Sequence, residues 1–381
     1  MFTNLIELIK SMPDEQKCRE YIAEQRWGKD RVVCPYCSHE KAYVVEGGRR
    51  YKCAGRGCYR KFSVTVGTIM ENSNIPLVKW LTAIYLVSAH KKGISSYQLA
   101  KDIGITQKHS WFMLHRIREM FRIKADTKLD NVVEIDEVYI GGKVPNMSKS
   151  KRKKLREEGN TYNTKTMVVG MLERGGKLRL MPVKQNALEI QNFIRDNVDT
   201  TANLITDQNG AYTALGKDYA SHEVVNHSGQ EYVREGNIHT NGIEGAFSLL
   251  KRSIIGIYHQ ASPKHLARYC DETMYRYNLR HMTDADRFAL SIANIEGRLT
   301  YKDLKNTPVP EKPKYNPLAP TGEGGTQGKK RAIYQLFDGE IVNRFESTKE
   351  ASEFTGIKHQ NISRVLRGIK TTTGGYQWVY A

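Results

Sequence analysis

Four cysteines that lie within 25 residues of one another constrain the fold of this chain more than any other sequence feature. Cys34 and Cys37 form one pair, fifteen residues follow, and Cys53 and Cys58 form a second pair. Two short cysteine pairs joined by a hairpin-length spacer suit a tetrahedral thiolate site for structural Zn²⁺. The first residues lack the pattern of a signal peptide. We therefore expect reduced thiols in a cytoplasmic protein, and not disulfides.

The spacer between the cysteine pairs is typical of a ribbon. Residues 41–45 and 49–52 are predicted to form short strands, and residues 62–66 alternate like a third strand. The pattern predicts a zinc ribbon over residues 31–66. Eight Lys and Arg against two Glu in residues 31–61 favour contact with phosphate groups. A ribbon that is purely structural, or that binds protein, is the alternative.

The charge of the whole chain favours a polyanionic partner. The sequence has 59 Lys and Arg against 41 Asp and Glu, which gives a net charge of +18. Nucleic acid is the usual partner of such a protein, although a protein that is merely basic is the alternative. No apolar run reaches the roughly 18–20 residues of a membrane helix, so we expect no membrane partner.

A helical segment follows the ribbon. Residues 95–103 predict a short helix, Gly104 a tight turn, and residues 107–121 a longer helix. This is the outline of a helix-turn-helix, which we assign to residues 67–128, after a helical lead-in over residues 1–30. Such units contact DNA or only pack, and the basic setting favours DNA. The polar residues predicted on the exposed side of the longer helix, with the two arginines as DNA contacts, are His109, Ser110, His115, Arg116 and Arg118.

Two predicted strands further along the chain carry acids. Glu134 and Asp136 point from one face of the first strand, and Asp207 ends the second. Hard divalent cations prefer carboxylate oxygens, whereas an edge strand with a solvated acidic face is the alternative. A hairpin at residues 166–183 and a helix at residues 188–198 lie between them. This order of elements describes a ribonuclease H-like sheet that brings the two aspartates together.

A later helix has one continuous polar face opposite a buried stripe. An amide, a carboxylate and an ammonium group on that face would point towards the two aspartates, and the lysine would hold phosphate. Two carboxylates and a third ligand could hold two divalent ions, although a solvated polar face is the alternative. The polar residues are Asn241, Glu244, Ser248 and Lys251, and the apolar ones are Ile243, Phe247 and Leu250.

Together these motifs resemble the zinc-ribbon insertion-sequence transposases with a DDE-type core, in the variant with Asn or Glu and a following Lys. The first motif reads IDEVYIGGK at residues 135–143, and the second reads TDQNGAY at residues 206–212. The third reads HTNGIE at residues 239–244, with Lys251 behind it. The resemblance covers roughly residues 15–282.

The resemblance implies a ribonuclease H-like transposase core over residues 129–300 that binds Mg²⁺ or Mn²⁺. Asp136, Asp207 and Glu244 are the implied metal ligands, and the third position is open between Glu244 and Asn241. A carboxylate is the stronger ligand for Mg²⁺. The implied catalytic residues are Asp136, Asp207, Asn241, Glu244 and Lys251.

The implied activity is metal-dependent cleavage at transposon ends and strand transfer into target DNA. The expected partners are double-stranded DNA, as terminal inverted repeats and target, and further copies of the chain. The expected location is the cytoplasm, in association with the nucleoid. A domesticated relative that binds DNA without cutting it is one alternative, and a site-specific DNA endonuclease is another.

A run of basic residues lies between the first two strands of the core. Lys151, Arg152, Lys153 and Lys154 are its centre. The run is expected either to hold the DNA backbone near the site or to be a solvated loop.

The tail reads as a separate module. Residues 301–330 are rich in proline and glycine and predict a linker. Residues 331–381 predict a hairpin followed by two short helices, and resemble the modular DNA-binding repeat of intron-type homing endonucleases. A tail that stabilises an oligomer is the alternative. The expected DNA contacts are Gln360, Asn361, Arg364 and Arg367.

The sequence therefore predicts an α/β multidomain protein. A zinc ribbon and a helix-turn-helix precede a ribonuclease H-like catalytic domain and a small C-terminal DNA-binding module.

Overall fold

A computed structural model gives the fold of the chain. It describes residues 2–29, 31–122, 127–142, 144–157, 165–183, 186–225, 238–307, 332–337, 340–366 and 372–380. The chain forms two compact units, Met1–Tyr315 and Asn316–Ala381, and mixes helices with sheets as expected. Every helix in the described ranges is too short or too polar to cross a bilayer.

The N-terminal part contains five helices and the ribbon. The helices are α1 (Leu5–Ser11), α2 (Glu15–Trp27), α3 (Leu77–Ala89), α4 (Ser96–Ile103) and α5 (Gln107–Met120), and the strands are β1 (Ala42–Val45), β2 (Arg50–Cys53) and β3 (Lys61–Phe62). The third ribbon strand is shorter than predicted. The residues that follow it form turns. There the Arg26 guanidinium donates hydrogen bonds to the carbonyl oxygens of Val64 and Val66, at 2.6 and 3.1 Å, so these oxygens are not paired with a neighbouring strand.

One hydrophobic core is shared by segments that the sequence analysis assigns to separate domains. Ile22 of α2, Phe62 of the ribbon and Trp80 of α3 belong to the same buried cluster. Phe288 of helix α10 (Asp284–Ala293) also belongs to it, although this helix lies in the range predicted as catalytic core. The lead-in, the ribbon and the helix-turn-helix therefore fold together and are joined by a helix from much later in the chain.

The predicted exposure of α5 is wrong beyond its first turn. His109 is exposed, but Ser110, His115, Arg116 and Arg118 are buried. Arg116 donates to the carbonyl oxygen of Leu299 at 3.0 Å, so segments from later in the chain cover this side of the helix. Arg116 and Arg118 are thereby removed as DNA contacts, and the packing alternative holds for most of α5.

The second half of the first unit is built on a five-stranded sheet. Its strand order is β6-β5-β4-β7-β8. Strands β4, β5 and β6 are antiparallel, whereas β4, β7 and β8 are parallel. The elements are β4 (Val132–Ile140), α6 (Lys149–Glu157), β5 (Thr166–Glu173), β6 (Leu178–Val183), α7 (Ala187–Asn197), β7 (Asn203–Thr206), β8 (Ser221–Val224), α8 (Asn241–Ser253) and α9 (Leu266–Asn278).

The two faces of this sheet contribute to two different buried clusters. Val133 and Ile135 of β4 pack in a cluster with Ile194 of α7. Val138 packs in a second cluster with Ile243 of α8. Since side chains alternate along a strand, the α8 face also carries Glu134 and Asp136.

Helix α8 lies very close to the sheet because two glycines leave room for it. A Cβ atom on Gly170 would lie 2.7 Å from the ring of Phe247. A Cβ atom on Gly242 would lie 2.7 Å from a carboxylate oxygen of Glu134. Distances below about 3 Å are not tolerated between such atoms, so any larger residue would push the helix away.

Glu134 holds the first turn of α8. Its carboxylate is 1% exposed and accepts hydrogen bonds from the backbone N–H of Ile243 at 3.0 Å and from Nε of Arg174 at 2.8 Å. Thr240, at the N-cap position, supplies no side-chain cap. Glu134 therefore satisfies a free N–H at the positive end of the helix, where a carboxylate is favoured.

A buried ion-pair network connects α5 to α9. Glu272 accepts hydrogen bonds from Nε of Arg118 at 2.8 Å, from Arg276 at 2.5 Å and from the Tyr258 hydroxyl at 2.6 Å. The Arg118 guanidinium also lies 4.2 Å from the ring centroid of Tyr269. Burial alone would raise the pKa of Glu272, but the two arginines lower it to about 2.

The predicted linker begins later than residue 301. Residues Tyr301–Lys305 form helix α11, whose Leu304 is fully buried. Residues 308–331 lie outside the described residues. The second unit contains β9 (Ile333–Phe337), β10 (Glu340–Phe345), α12 (Thr348–Thr355), α13 (His359–Leu366) and β11 (Gln377–Tyr380), with Ile333, Phe345, Ala351, Ile362 and Trp378 in its core.

Replacing Glu272 tests the ion-pair network. We expect Glu272→Gln to lower the free energy of unfolding by about 3–5 kcal/mol, since two buried arginines lose their shared counter-charge. Urea unfolding of the whole chain at neutral pH measures this. Because the pKa of Glu272 lies below its ordinary value of 4.5, this contribution is present at neutral pH and is lost as the pH falls towards 2.

The matched control is Glu20→Gln, which breaks an exposed pair with Lys17 at 2.8 Å. It should cost less than about 1 kcal/mol. Equal losses for the two variants would contradict the structural role of the network.

Candidate metal centres

Three carboxylates meet where the parallel pairing of β4 with β7 ends. Ile135 of β4 pairs with Thr206 of β7, so the residues that follow, Asp136 and Asp207, lie side by side. Carboxylate oxygens of Asp136, Glu137 and Asp207 lie within 4.8 Å of one another. The structure therefore brings together the two aspartates as the sequence predicts, and we call these three residues the carboxylate cluster.

The electrostatics of the cluster favour a cation. Burial raises the pKa of Asp136, and the negative charges of Asp207, Glu137 and Glu244 raise it further, to about 7. A backbone hydrogen bond from the N–H of Glu137 at 2.7 Å opposes the increase. A divalent cation would compensate this repulsion and displace the proton. Hard cations such as Mg²⁺ and Mn²⁺ match the all-oxygen donor set.

Glu137 is a site residue that the sequence reasoning missed. Its two carboxylate oxygens accept hydrogen bonds from Nδ2 of Asn209 and from the Tyr212 hydroxyl, each at 2.6 Å. The backbone N–H of Asn209 also donates to Asp207 at 3.1 Å. Strand alternation placed Glu137 on the face opposite Asp136. The presence of Asn209 and Tyr212 in the second motif was the signal that could have found it.

The third motif lies on the helix that borders the cluster. Asn241, Glu244 and Lys251 are on the exposed face of α8, and Ile243, Phe247 and Leu250 are buried, as predicted. Glu244 is near enough to raise the pKa of Asp136. Within the described residues, its carboxylate does not join the group whose oxygens lie within 4.8 Å.

The four ribbon cysteines form a compact sulfur site. Their Sγ atoms all lie within 4.8 Å of one another, with 3.9 Å between Cys34 and Cys58 and 3.5 Å between Cys37 and Cys53. A zinc ion at the usual Zn–S distance of about 2.3 Å requires about 3.8 Å between the sulfurs of a tetrahedron. The backbone N–H of Gly55 donates to Cys53 Sγ at 3.3 Å. The residues therefore fit structural zinc.

The basic run forms a helix and not a loop. It forms α6, which Leu155 anchors through its buried side chain. Lys151, Lys153 and Lys154 are exposed, and Arg152 is half-buried. DNA contact by these residues stays a prediction.

The expected contacts of the tail are only partly described. Asn361 lies half-buried on α13. The side chains of Gln360 and Arg364, and the whole of Arg367, lie outside the described residues. Their DNA contacts remain predictions.

Comparison with known families confirms the resemblance. Residues 128–278 match the ISXO2-like transposase domain, and residues 13–61 match the transposase zinc-ribbon domain. Residues 337–378 match the NUMOD-like domain of I-HmuI-like DNA endonucleases. The chain thus contains a segment that matches an insertion-sequence transposase domain, with a match to a transposase zinc ribbon before it and a match to a NUMOD-like module after it.

The individual proteins that match the chain share less than a third of its residues in the aligned regions. The chain is 29% identical over 259 residues to an uncharacterized protein in transposable element ISH50 of Halobacterium salinarum, which covers 64% of this chain and 84% of the relative. A cryo-electron microscopy structure of the simian T-cell lymphotropic virus intasome in complex with PP2A regulatory subunit B56 gamma shares 13% identity. The alignment covers 66% of this chain and 82% of that one, and its TM-score of 0.24 is too low to support an argument.

Zinc content tests the sulfur site. Cys37→Ser should lower bound zinc from one ion per chain to a small fraction of that, because a tetrahedral site loses one of four thiolates. Elemental analysis after dialysis measures the ratio. Cys270→Ala, a buried cysteine outside the group, should keep one zinc per chain. Unchanged zinc in Cys37→Ser would refute the assignment.

The hydroxyl of Tyr212 can be removed to test the support of Glu137. Tyr212→Phe leaves one carboxylate oxygen without this donor, which should cost roughly 1–3 kcal/mol of stability. The affinity of the chain for Mn²⁺ should fall about 10-fold or more, as expected when the partner of a metal-site carboxylate is lost.

Tyr219→Phe is the control for this variant. Tyr219 packs in the same buried cluster as Tyr212, and no hydrogen bond from its hydroxyl is present among the described residues. Calorimetric titration with Mn²⁺ should give the wild-type affinity for this variant. Equal Mn²⁺ affinity in the two variants would argue against a positioning role for Glu137.

Proposed function

We propose that this chain is a metal-dependent DNA transposase that cuts DNA at the ends of its element and joins them to target DNA. The carboxylate cluster, which lies beside the end of β7 where its pairing with β4 stops, is the observation that carries the proposal. It lies within the segment that matches a transposase domain. The strand order and directions are those expected of a ribonuclease H-like sheet, which supports the same assignment.

The proposed roles follow from the positions of the residues. Asp136 and Asp207 hold divalent cations, and Glu244 on the bordering helix is the proposed third ligand, with Asn241 as its competitor. Bound Mg²⁺ or Mn²⁺ would activate the attacking oxygen and stabilise the leaving one. Lys251 contacts a phosphate as a point charge. Glu137 keeps the cluster in place through Asn209 and Tyr212.

The proposed chemistry consists of two in-line displacements at phosphorus. In the first, a water oxygen forms a bond to a phosphate at the element end, and the bond to the 3′-oxygen breaks to give a 3′-OH. In the second, this 3′-OH forms a bond to a target phosphate, and one phosphodiester bond of the target breaks. Neither step needs a covalent enzyme intermediate, so catalysis rests on positioning and electrostatics.

The remaining parts of the chain would bind DNA. The ribbon is basic, α6 presents lysines to solvent, and the C-terminal unit matches a module of DNA endonucleases. We propose that they hold the terminal inverted repeats and the target DNA. Assembly as a homo-oligomer and association with the nucleoid stay predictions.

A joining assay with labelled element-end DNA, target DNA and Mg²⁺ tests the proposal. We expect joined products with the wild-type chain. Asp136→Asn and Asp207→Asn should each reduce joining by at least 100-fold, because a metal ligand is lost, and should leave end binding nearly unchanged. Asp196→Asn, which alters an exposed residue of α7, should join DNA normally.

The outcomes of this assay separate the alternatives. Hydrolysis without joining would favour the endonuclease, which the match at residues 337–378 makes the second candidate. Retarded but uncut DNA would indicate a binding protein. In the same assay, Glu244→Gln should abolish joining and Asn241→Ala should reduce it less. The reverse order would assign the third metal position to Asn241.

A further inference from the structure

A second concave site lies at the opposite end of α8 from the carboxylate cluster. It is a cavity of about 320 Å³ between the end of α3, the last turn of α8 and the last turns of α9. Its lining includes Lys91, Lys92, Leu249, Arg252, Tyr277 and Arg280. We call it the basic cavity.

The charge of the basic cavity is all of one sign. Six Lys and Arg line it, and no Asp or Glu does so among the residues that the structure describes. Two of the six are neutralised within the fold, since Arg276 pairs with Glu272 and Arg287 with Asp284. The other four are Lys91, Lys92, Arg252 and Arg280, for which the described part of the chain supplies no carboxylate within 4.0 Å.

The fold holds this concentration of charge in a fixed shape. Arg287 donates to the carbonyl oxygen of Ser88 at 3.1 Å, and Arg276 donates to that of His90 at 2.8 Å. These bonds fix the backbone of the loop that carries Lys91 and Lys92. The Arg280 guanidinium lies over the ring of Tyr277, at 4.3 Å from its centroid. The loop backbone and the Arg280 side chain are thus held in place before any ligand binds, which lowers the cost of binding an anion.

The position of the basic cavity relates it to the carboxylate cluster. Glu244 and Arg252 lie eight residues apart on α8, which is about 12 Å along the helix at 1.5 Å per residue. The exposed face with Ser248 and Lys251 lies between them. At about 3.4 Å of duplex axis per nucleotide, this distance corresponds to three or four nucleotides for an α8 that lies along the duplex axis.

We propose that the basic cavity binds the sugar-phosphate backbone of the DNA strand that lies at the carboxylate cluster, three or four nucleotides from the reacting phosphate. The four uncompensated cations contact phosphate oxygens, and the exposed parts of Leu249 and Tyr277 contact the sugars. The inference rests on the proposed function, because it takes the reacting strand as its ligand.

The first experiment measures binding to an element-end duplex by the full chain in EDTA, so that it does not depend on cleavage. Lys91→Ala/Lys92→Ala should weaken binding about 10-fold or more, and should reduce the slope of log K against log salt by nearly 2, since each phosphate contact contributes about 0.9. Lys91→Arg/Lys92→Arg should restore both. Lys10→Ala/Lys217→Ala makes the same charge change on exposed residues outside the cavity and should stay within twofold of wild type.

The second experiment locates the contact by ethylating the duplex phosphates. With the wild-type chain, ethylation of phosphates three or four nucleotides from the element end should prevent binding. In Lys91→Ala/Lys92→Ala this interference should disappear, while interference at other phosphates remains. An unchanged melting temperature, expected because both lysines are exposed, shows that the variant is folded.

An unchanged salt slope with unchanged interference in the alanine variant would overturn the proposal. So would binding of inorganic phosphate by the cavity without any DNA phosphate mapped to it, because the site would then take a small free anion. If the joining assay fails but the mapped contact is lost as expected, the basic cavity stands as a DNA site and the proposed reaction does not.

Discussion

The close contact between α8 and the central sheet is the constraint on which the candidate site depends. Gly170 lies opposite Asp136 in the pairing of β4 with β5, and its missing side chain admits the ring of Phe247. Gly242 similarly admits the carboxylate of Glu134, which holds the first turn of the helix. A larger side chain at either glycine would move Glu244 away from the carboxylate cluster. The geometry of the acids thus depends on residues that carry no chemistry themselves.

Two of the clustered carboxylates differ in how their charge is compensated. Glu137 receives two short hydrogen bonds from the second motif, whereas Asp136 has a pKa raised to about 7 by burial and by its acidic neighbours. Glu137 is thereby bound into the protein. The carboxylate of Asp136 is repelled by its acidic neighbours, and a bound cation would offset this repulsion. This difference supports the proposed roles, in which Glu137 holds the cluster in place and Asp136 is a metal ligand.

The sequence predicts those parts of the site that depend on local spacing. Each cysteine pair, the two faces of α8 and the acid of each strand motif are visible within about fifteen residues. The roles of Arg118 and Arg116 are not, because their partners lie 154 and 183 residues away. Glu137 was missed for another reason, since alternation places it on the face opposite Asp136 and its partners Asn209 and Tyr212 lie 72 and 75 residues away. The third ribbon strand is shortened by Arg26, a residue of the preceding helix.

The buried network around Glu272 fixes the distance between two parts of the first unit. It joins α5 to α9. Helix α5 shares a hydrophobic core with the zinc ribbon, and α9 packs against the sheet that carries the acids. Because both ends of this connection are buried and charged, sliding one half against the other would separate ions in a dry interior. The ribbon and the acids are therefore held at one separation. In the proposed transposase, this connection would fix the distance between the ribbon and the acids, and with it the distance between the recognised sequence and the cut.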